Sequence, residues 1–162
     1  MKKGGGKRKG SSFERYVAKD LSLWITGGGS DGIFWRTHSS GSLGTVGKRR
    51  LEYGDIMAID DLGKPLTDNY NIECRHGKCL NLRHLIYPVK SSSIIQLIYE
   101  GRTNAEATKR KPLWIIKEQG KDILVMMRLI DCDYMRVVFL AEFPKFNIGI
   151  LDYNDWKKEF KL

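Results

Sequence analysis

Residues 53–78, YGDIMAIDDLGKPLTDNYNIECRHGK, constrain this chain most, because they set three ionisable side chains into two otherwise strand-like apolar runs. Asp55 opens the first run, and Glu73 and Arg75 close the second. Between them Asp60, Asp61, Gly63 and Pro65 cluster as turn formers, so the stretch is expected to fold as a β-hairpin. Side chains two apart on a strand share a face, which sends Glu73 and Arg75 one way and Ile72 and Cys74 the other. Asp55, at the start of its strand, then meets Glu73 near the end of the partner. Two carboxylates and a cation gathered there oppose each other's ionisation unless a metal or a phosphate completes the group. That cost marks a candidate site.

The 162 residues, 41% of them hydrophobic, suffice for one domain with its own core, expected over residues 11–162. The formal charge is +9, and residues 1–10 hold Lys2, Lys3, Lys7, Arg8 and Lys9 with four glycines and no acid. That segment reads as a disordered basic arm ahead of a mildly basic domain. A polyanion is the natural partner, nucleic acid before membrane, because no basic amphipathic helix is evident. Nothing resembles a signal peptide, and no apolar run approaches the roughly 20 residues that span a bilayer. A soluble, cytoplasmic protein with no membrane contact and no small-molecule cofactor is expected. Three cysteines, Cys74, Cys79 and Cys132, are an odd count that argues for reduced thiols. Zinc on Cys74, His76, Cys79 and His84 is disfavoured, since the spacing matches no standard pairing and Cys74 should point into the core.

Residues 11–25 read as a helix, with Phe13, Val17, Leu21 and Trp24 on one face and Gly27, Gly28 and Gly29 as its stop. Ser11 and Glu14 fit a capping box, the reading that the pattern favours for Glu14. The alternative turns Glu14 toward the hairpin, as a metal ligand or through water. Residues 33–36 form a short strand. The Ser, Gly and Thr loop of residues 37–47 then leads to Lys48, Arg49 and Arg50. Hydroxyls, open amides and adjacent cations suit phosphate contacts, although a plain surface loop fits equally. This loop delivers the chain to Asp55, so it must lie beside the candidate site.

Further on, residues 79–89 are irregular, and Ser91, Ser92 and Ser93 precede a helix that frays near Lys109. On it Gln96, Tyr99 and Glu100 lie on or beside a polar face, where solvation is the simpler reading for Glu100. Residues 112–117 and 122–127 form a second hairpin, apolar enough to be the buried middle of a sheet. Residues 136–140 are a further strand and residues 152–162 a short helix carrying Trp156 and Phe160. The expected class is α/β, with one central mixed β-sheet flanked by helices.

Hard oxygen ligands on a rigid element suit Mg²⁺, which keeps several waters and takes one or two protein carboxylates. Near a phosphate such an ion polarises the phosphoryl oxygen and lowers the pKa of an attacking water, while Arg75 meets the developing charge. Phosphodiester hydrolysis follows as the leading reaction class.

Glu14 on an N-terminal helix, Gly54-Asp55 opening a strand and Glu73-Cys74-Arg75 closing the next together resemble the core of the PD-(D/E)xK nuclease superfamily. Within it, residues 10–15 (GSSFER), 36–41 (RTHSSG) and 54–56 (GDI) are similar to motifs of the archaeal-type Holliday junction resolvases and their phage relatives. The resemblance covers residues 10–127 and implies a restriction-endonuclease-like fold. It also implies an Mg²⁺-dependent endonuclease, with Mn²⁺ as a substitute ion, acting as a homodimer on branched DNA in recombination and repair. Asp55, Glu73 and the backbone carbonyl of Cys74 would hold the metal, Glu14 would support it, and Ser40 would contact the backbone near the cut. Arg36, Ser39, Lys48, Arg49 and Arg50 would bind DNA, in a phage-encoded protein inside its host cell. The family places lysine where this chain has Arg75. Arginine keeps the charge but never deprotonates, so it can stabilise a phosphate yet cannot act as a base. The same residues therefore also fit a DNA-binding protein with weakened or lost catalysis, or a nuclease for another DNA shape.

Overall fold

The computed structural model describes residues 5–37, 54–78, 80–89, 91–131 and 141–160, with side chains from residue 12 onward. Five strands form a mixed sheet in the order β3 (Tyr70–Gly77), β4 (Lys111–Glu118), β5 (Ile123–Met127), β7 (Ile148–Asp152), β6 (Ala141–Phe143). Alternation along these strands feeds two separate cores. Ile72, Cys74, Leu113, Ile115, Val125, Met127 and Leu151 pack on one face, under α1 (Gly5–Ile25) and α5 (Tyr153–Glu159). Trp114, Ile116, Met126, Ile148 and Ile150 pack on the other, under α4 (Ser93–Thr108), with Leu85 of the single-turn α3 (Arg83–Ile86). Each face thus gains its own apolar layer, which accounts for the unbroken apolar runs of β4 and β5. The α/β architecture with a helix-flanked mixed sheet is the one expected.

The hairpin of β4 and β5 is as read, antiparallel with Leu113 opposite Met127 and Lys117 opposite Ile123. The hairpin expected over residues 53–78 does not form. Instead β2 (Ile56–Ala58) pairs antiparallel with β1 (Phe34–Arg36), while β3 pairs in parallel with β4, placing Glu73 opposite Trp114. Between β2 and β3 the presumed turn residues build helix. The Asp60 side chain accepts from the Leu62 N–H at 2.9 Å to start a 3₁₀ turn, and Pro65 sits in the first turn of α2 (Lys64–Asn69). Asp, Gly and Pro serve helix starts as readily as reverse turns, and the connection is too long for a tight hairpin.

Helix α1 begins at Gly5 rather than Ser11, so residues 5–10, read as part of a disordered arm, continue it; residues 1–4 lie outside the described residues. Ser11 is therefore inside the helix and the capping box does not exist. The last strand, β7, was missed in the sequence because Gly149 interrupts a short apolar run. The strand expected over residues 136–140 lies outside the described residues.

Candidate active site

The open edge of β3 is where the candidate residues gather. In a strand, the N–H and C=O of one residue leave on the same side, and successive residues alternate. Residues 71, 73 and 75 turn their peptide groups toward β4, so Ile72 and Cys74 turn theirs outward, to the edge. There the Ile72 carbonyl accepts from the Asp55 N–H at 2.7 Å, and the Cys74 N–H donates to Asp55 Oδ2 at 2.8 Å. The Cys74 carbonyl leaves the strand on this same Asp55 side. Asp55 is held from behind as well: its carbonyl accepts from the Thr37 N–H at 2.9 Å, and the Thr37 hydroxyl donates to the Gly54 carbonyl at 2.7 Å.

Side chains reach the edge from both faces of the sheet. Glu73 is 8% exposed and points to the α4 face, where Oε1 accepts from Asn71 Nδ2 at 3.0 Å and Asn104 Nδ2 at 2.9 Å. Glu14 comes from α1 on the opposite face, and its Oε2 lies 3.1 Å from Arg36 Nη1. The carboxyl groups feel one another. Burial pushes the Glu73 pKa above its ordinary value and the charge of Asp55 pushes it further, against the pull of Asn104, Asn71 and Arg75. Glu14 is raised for the same two reasons, partly offset by Arg36. Burial pushes the Cys74 thiol well up, with Asp55 adding to it, so the sulfur stays protonated and apolar within the core.

Arg75, half exposed, has Nη2 3.7 Å from Glu100 Oε2. Glu100 is therefore an ion-pair partner rather than a merely solvated side chain. Its place one turn from Asn104 on α4 lets one helix face serve both Glu73 and Arg75. His76 lies on the other face, against Phe13 with ring centroids 5.5 Å apart. Ser39, Ser40, Lys48, Arg49 and Arg50 lie outside the described residues, as does Cys79 of the disfavoured zinc set.

Among the described residues no three His, Cys, Asp or Glu side chains are close enough to hold a metal ion by themselves. A hard divalent ion needs less than that from the protein, one or two carboxylates with the rest water. Asp55, Glu73 and the Cys74 carbonyl offer only oxygen, and a cation between them would relieve the repulsion that raises Glu73. The donor set fits such an ion.

Sequence reasoning missed Asn71 and Asn104, the amide donors on Glu73, and Thr37, the clamp on Gly54. Two asparagines whose only visible property is polarity in an apolar run and on a helix give little signal. Asn71 was the readable one, since a fully buried amide inside a strand demands a partner.

No curated protein and no solved structure matches this chain. Residues 5–161 match the model of a family described as "Phage putative PDDEXK endonuclease", nearly the whole length, so the chain belongs to that phage endonuclease family.

Proposed function

We propose that the protein is a divalent-metal-dependent endonuclease that hydrolyses phosphodiester bonds in branched DNA, in the manner of a Holliday junction resolvase working as a homodimer. The observation that carries this reading is the edge of β3, where Asp55 is held on the edge itself by the Cys74 N–H and Glu73 is held on the α4 face by two asparagines. Asp55, Glu73 and the Cys74 carbonyl would hold Mg²⁺ or Mn²⁺, which supplies a Lewis acid at the phosphoryl oxygen and a more acidic water. Asn71 and Asn104 keep Glu73 aimed and favour its ionised form, against burial and the charge of Asp55. Arg75 reaches over the edge toward a bound phosphate and stabilises the charge that grows there. Glu14 and Arg36, already paired, set the strand path beside the carboxylates. Ser39, Ser40, Lys48, Arg49 and Arg50 are assigned to backbone phosphates.

The test is cleavage of a four-way junction, a duplex and a single strand of matched sequence, each with Mg²⁺, Mn²⁺ or chelator. Cutting confined to the metal arms and strongest on the junction is expected, with Asp55→Ala inactive yet still binding DNA. Equal cutting by Asp55→Ala, or equal cutting with chelator, would sink the proposal. One observation favours a second reading, a DNA-binding protein with weakened catalysis: an arginine stands in the family's lysine position, and its partner is Glu100. Inert parent protein, with activity appearing in Arg75→Lys, would establish that reading instead.

A further inference from the structure

Next to the carboxylates, α1 and β1 flank a shallow groove of about 260 Å³, of which the proposed chemistry uses only Arg36. Ala18, Phe34 and Trp35 line it, and Arg15, Lys19 and Arg36 stand around it. Trp35 is 51% exposed, at the middle of β1 opposite Met57 on the side away from the core. The other tryptophans are committed to the interior: Trp114 and Trp156 are fully buried, and the partly buried Trp24 packs tilted against Trp156 with ring centroids 5.6 Å apart. Among the described residues Trp35 makes no contact with another aromatic ring.

Exposure alone does not single out Trp35, since other large apolar side chains are as exposed; its place in a groove among cations does. Lys19 is matched by Asp31 at 3.0 Å, and Arg36 is shared with Glu14, while Arg15 adds a further cation at the groove. Asp31 also lines the groove and offsets Lys19, which leaves Arg15 and the Glu14-paired Arg36 as the cations beside the exposed ring of Trp35, an arrangement that complements a flat, π-rich ligand carrying negative charge at its edge. The volume lies below the roughly 300–1,000 Å³ of pockets that enclose a drug-sized ligand, which leaves room for one ring system. Double-stranded DNA cannot offer a free base face, because both are stacked.

We infer that this groove holds a single unpaired base of the substrate, stacked on Trp35 with its flanking phosphates on Arg15 and Arg36. Arg36 joins the groove to Glu14 and so to the edge of β3, which leads an unpaired nucleotide toward the carboxylates. The inference rests on the reading of the chain as a DNA nuclease and adds the structural feature that it selects: a nucleotide out of the duplex, as at a branch point or a strand end.

The test is binding of the full-length protein, in chelator, to a single-stranded oligonucleotide and to a duplex of the same length. Because Trp35 is the exposed tryptophan, stacking should quench the accessible part of the emission and protect it from acrylamide. Trp35→Ala should bind the single strand roughly 5- to 100-fold more weakly, the range of one lost base-aromatic stack, with a smaller change on duplex. Trp35→Phe should retain most of the affinity while losing the quench, which separates stacking from misfolding. Single-strand affinity unchanged in Trp35→Ala, equal losses on both DNAs, or emission unmoved by saturating oligonucleotide would each overturn the inference. So would protection of Trp35 that grows with protein concentration without DNA, since a second copy would then be the occupant. No cleavage is read, so failure of the endonuclease proposal leaves these outcomes intact.

Discussion

Replacing Gly54 with alanine tests how tightly the turn that carries Asp55 is held. This glycine has φ +98°, in a region that L-residues enter at a cost of about 1–2 kcal/mol. A Cβ there would lie 3.0 Å from the Ile72 carbonyl oxygen, 3.1 Å from Asn71 Oδ1 and 3.2 Å from the Ile72 nitrogen. Two of these atoms belong to the backbone of β3, which is locked to β4 through its whole length and cannot step aside. The turn must move instead. The 2.7 Å bond from the Asp55 N–H to Ile72 then lengthens, a loss of about 1 kcal/mol that brings the total to about 2–3 kcal/mol. For a chain of this size that lowers Tm by about 4–12 °C. Gly120 is the control, with φ +76° and nothing within 4 Å of its Cβ position. Gly120→Ala should carry the backbone cost alone, about 1–2 kcal/mol. Calorimetric melting of the parent and both variants reads the difference, and a DNA-cleavage assay should show Gly54→Ala losing activity with the displacement of Asp55. If Gly54→Ala melts at or above Gly120→Ala, the close approach does not constrain the turn, and the account of how Asp55 is placed fails.

Two further outcomes follow from the same edge. If Arg75 neutralises charge on the scissile phosphate, Arg75→Lys should keep or raise cleavage, whereas Arg75→Gln should lose roughly 3 kcal/mol, on the order of 10²-fold in kcat; equal rates for Arg75→Gln and the parent would remove Arg75 from the chemistry. Glu73 is held above the ordinary carboxylate value of 4.5, so the folded protein keeps a proton that the unfolded chain has released. This group therefore lowers stability as pH rises from that value through its folded-state pKa. Glu73→Gln retains an oxygen for the two asparagines and removes the charge facing Asp55. In urea unfolding it should be more stable than the parent at neutral pH, with the gap closing toward pH 4, and a gap that widens on acidification would contradict this.

Much of the framework was legible because it depends on local period. Phe13, Val17 and Leu21 repeat as a helix does, and all three are buried under the sheet. Residues 113–116 and 123–127 are apolar on both faces because two cores press on them, and a strand covered on both sides shows as a continuous run. The alternation of Ile72, Glu73, Cys74 and Arg75 placed each side chain on its correct face before any partner strand was known. Pairing was a different matter. Which strand lies beside β2 or β3 is decided by burial of Phe34, Ile56 and Ile72 in one shared core across distant segments, and no local period encodes that. The turn cluster at Asp60 to Pro65 therefore suggested a hairpin where the chain makes a helix and leaves the sheet.

The site divides along the same line. Acidic residues in apolar strand sequence are visible one by one, since each violates the surrounding pattern at a cost that needs a reason. What they touch is not. The Cys74 N–H reaches Asp55 because β3 is the edge strand, a fact of sheet order. Asn104 reaches Glu73, and Glu100 reaches Arg75, because α4 is part of the crossover between the parallel strands β3 and β4 and packs back over β3. Glu14 meets Arg36 rather than its own helix end because α1 starts earlier than any cap signal indicates. Residue type and spacing determined which groups carry charge and which face they take. Tertiary structure alone decided their partners, because a hydrogen bond depends on position in space to a few tenths of an ångström, and the sequence distance between its ends places no bound on that.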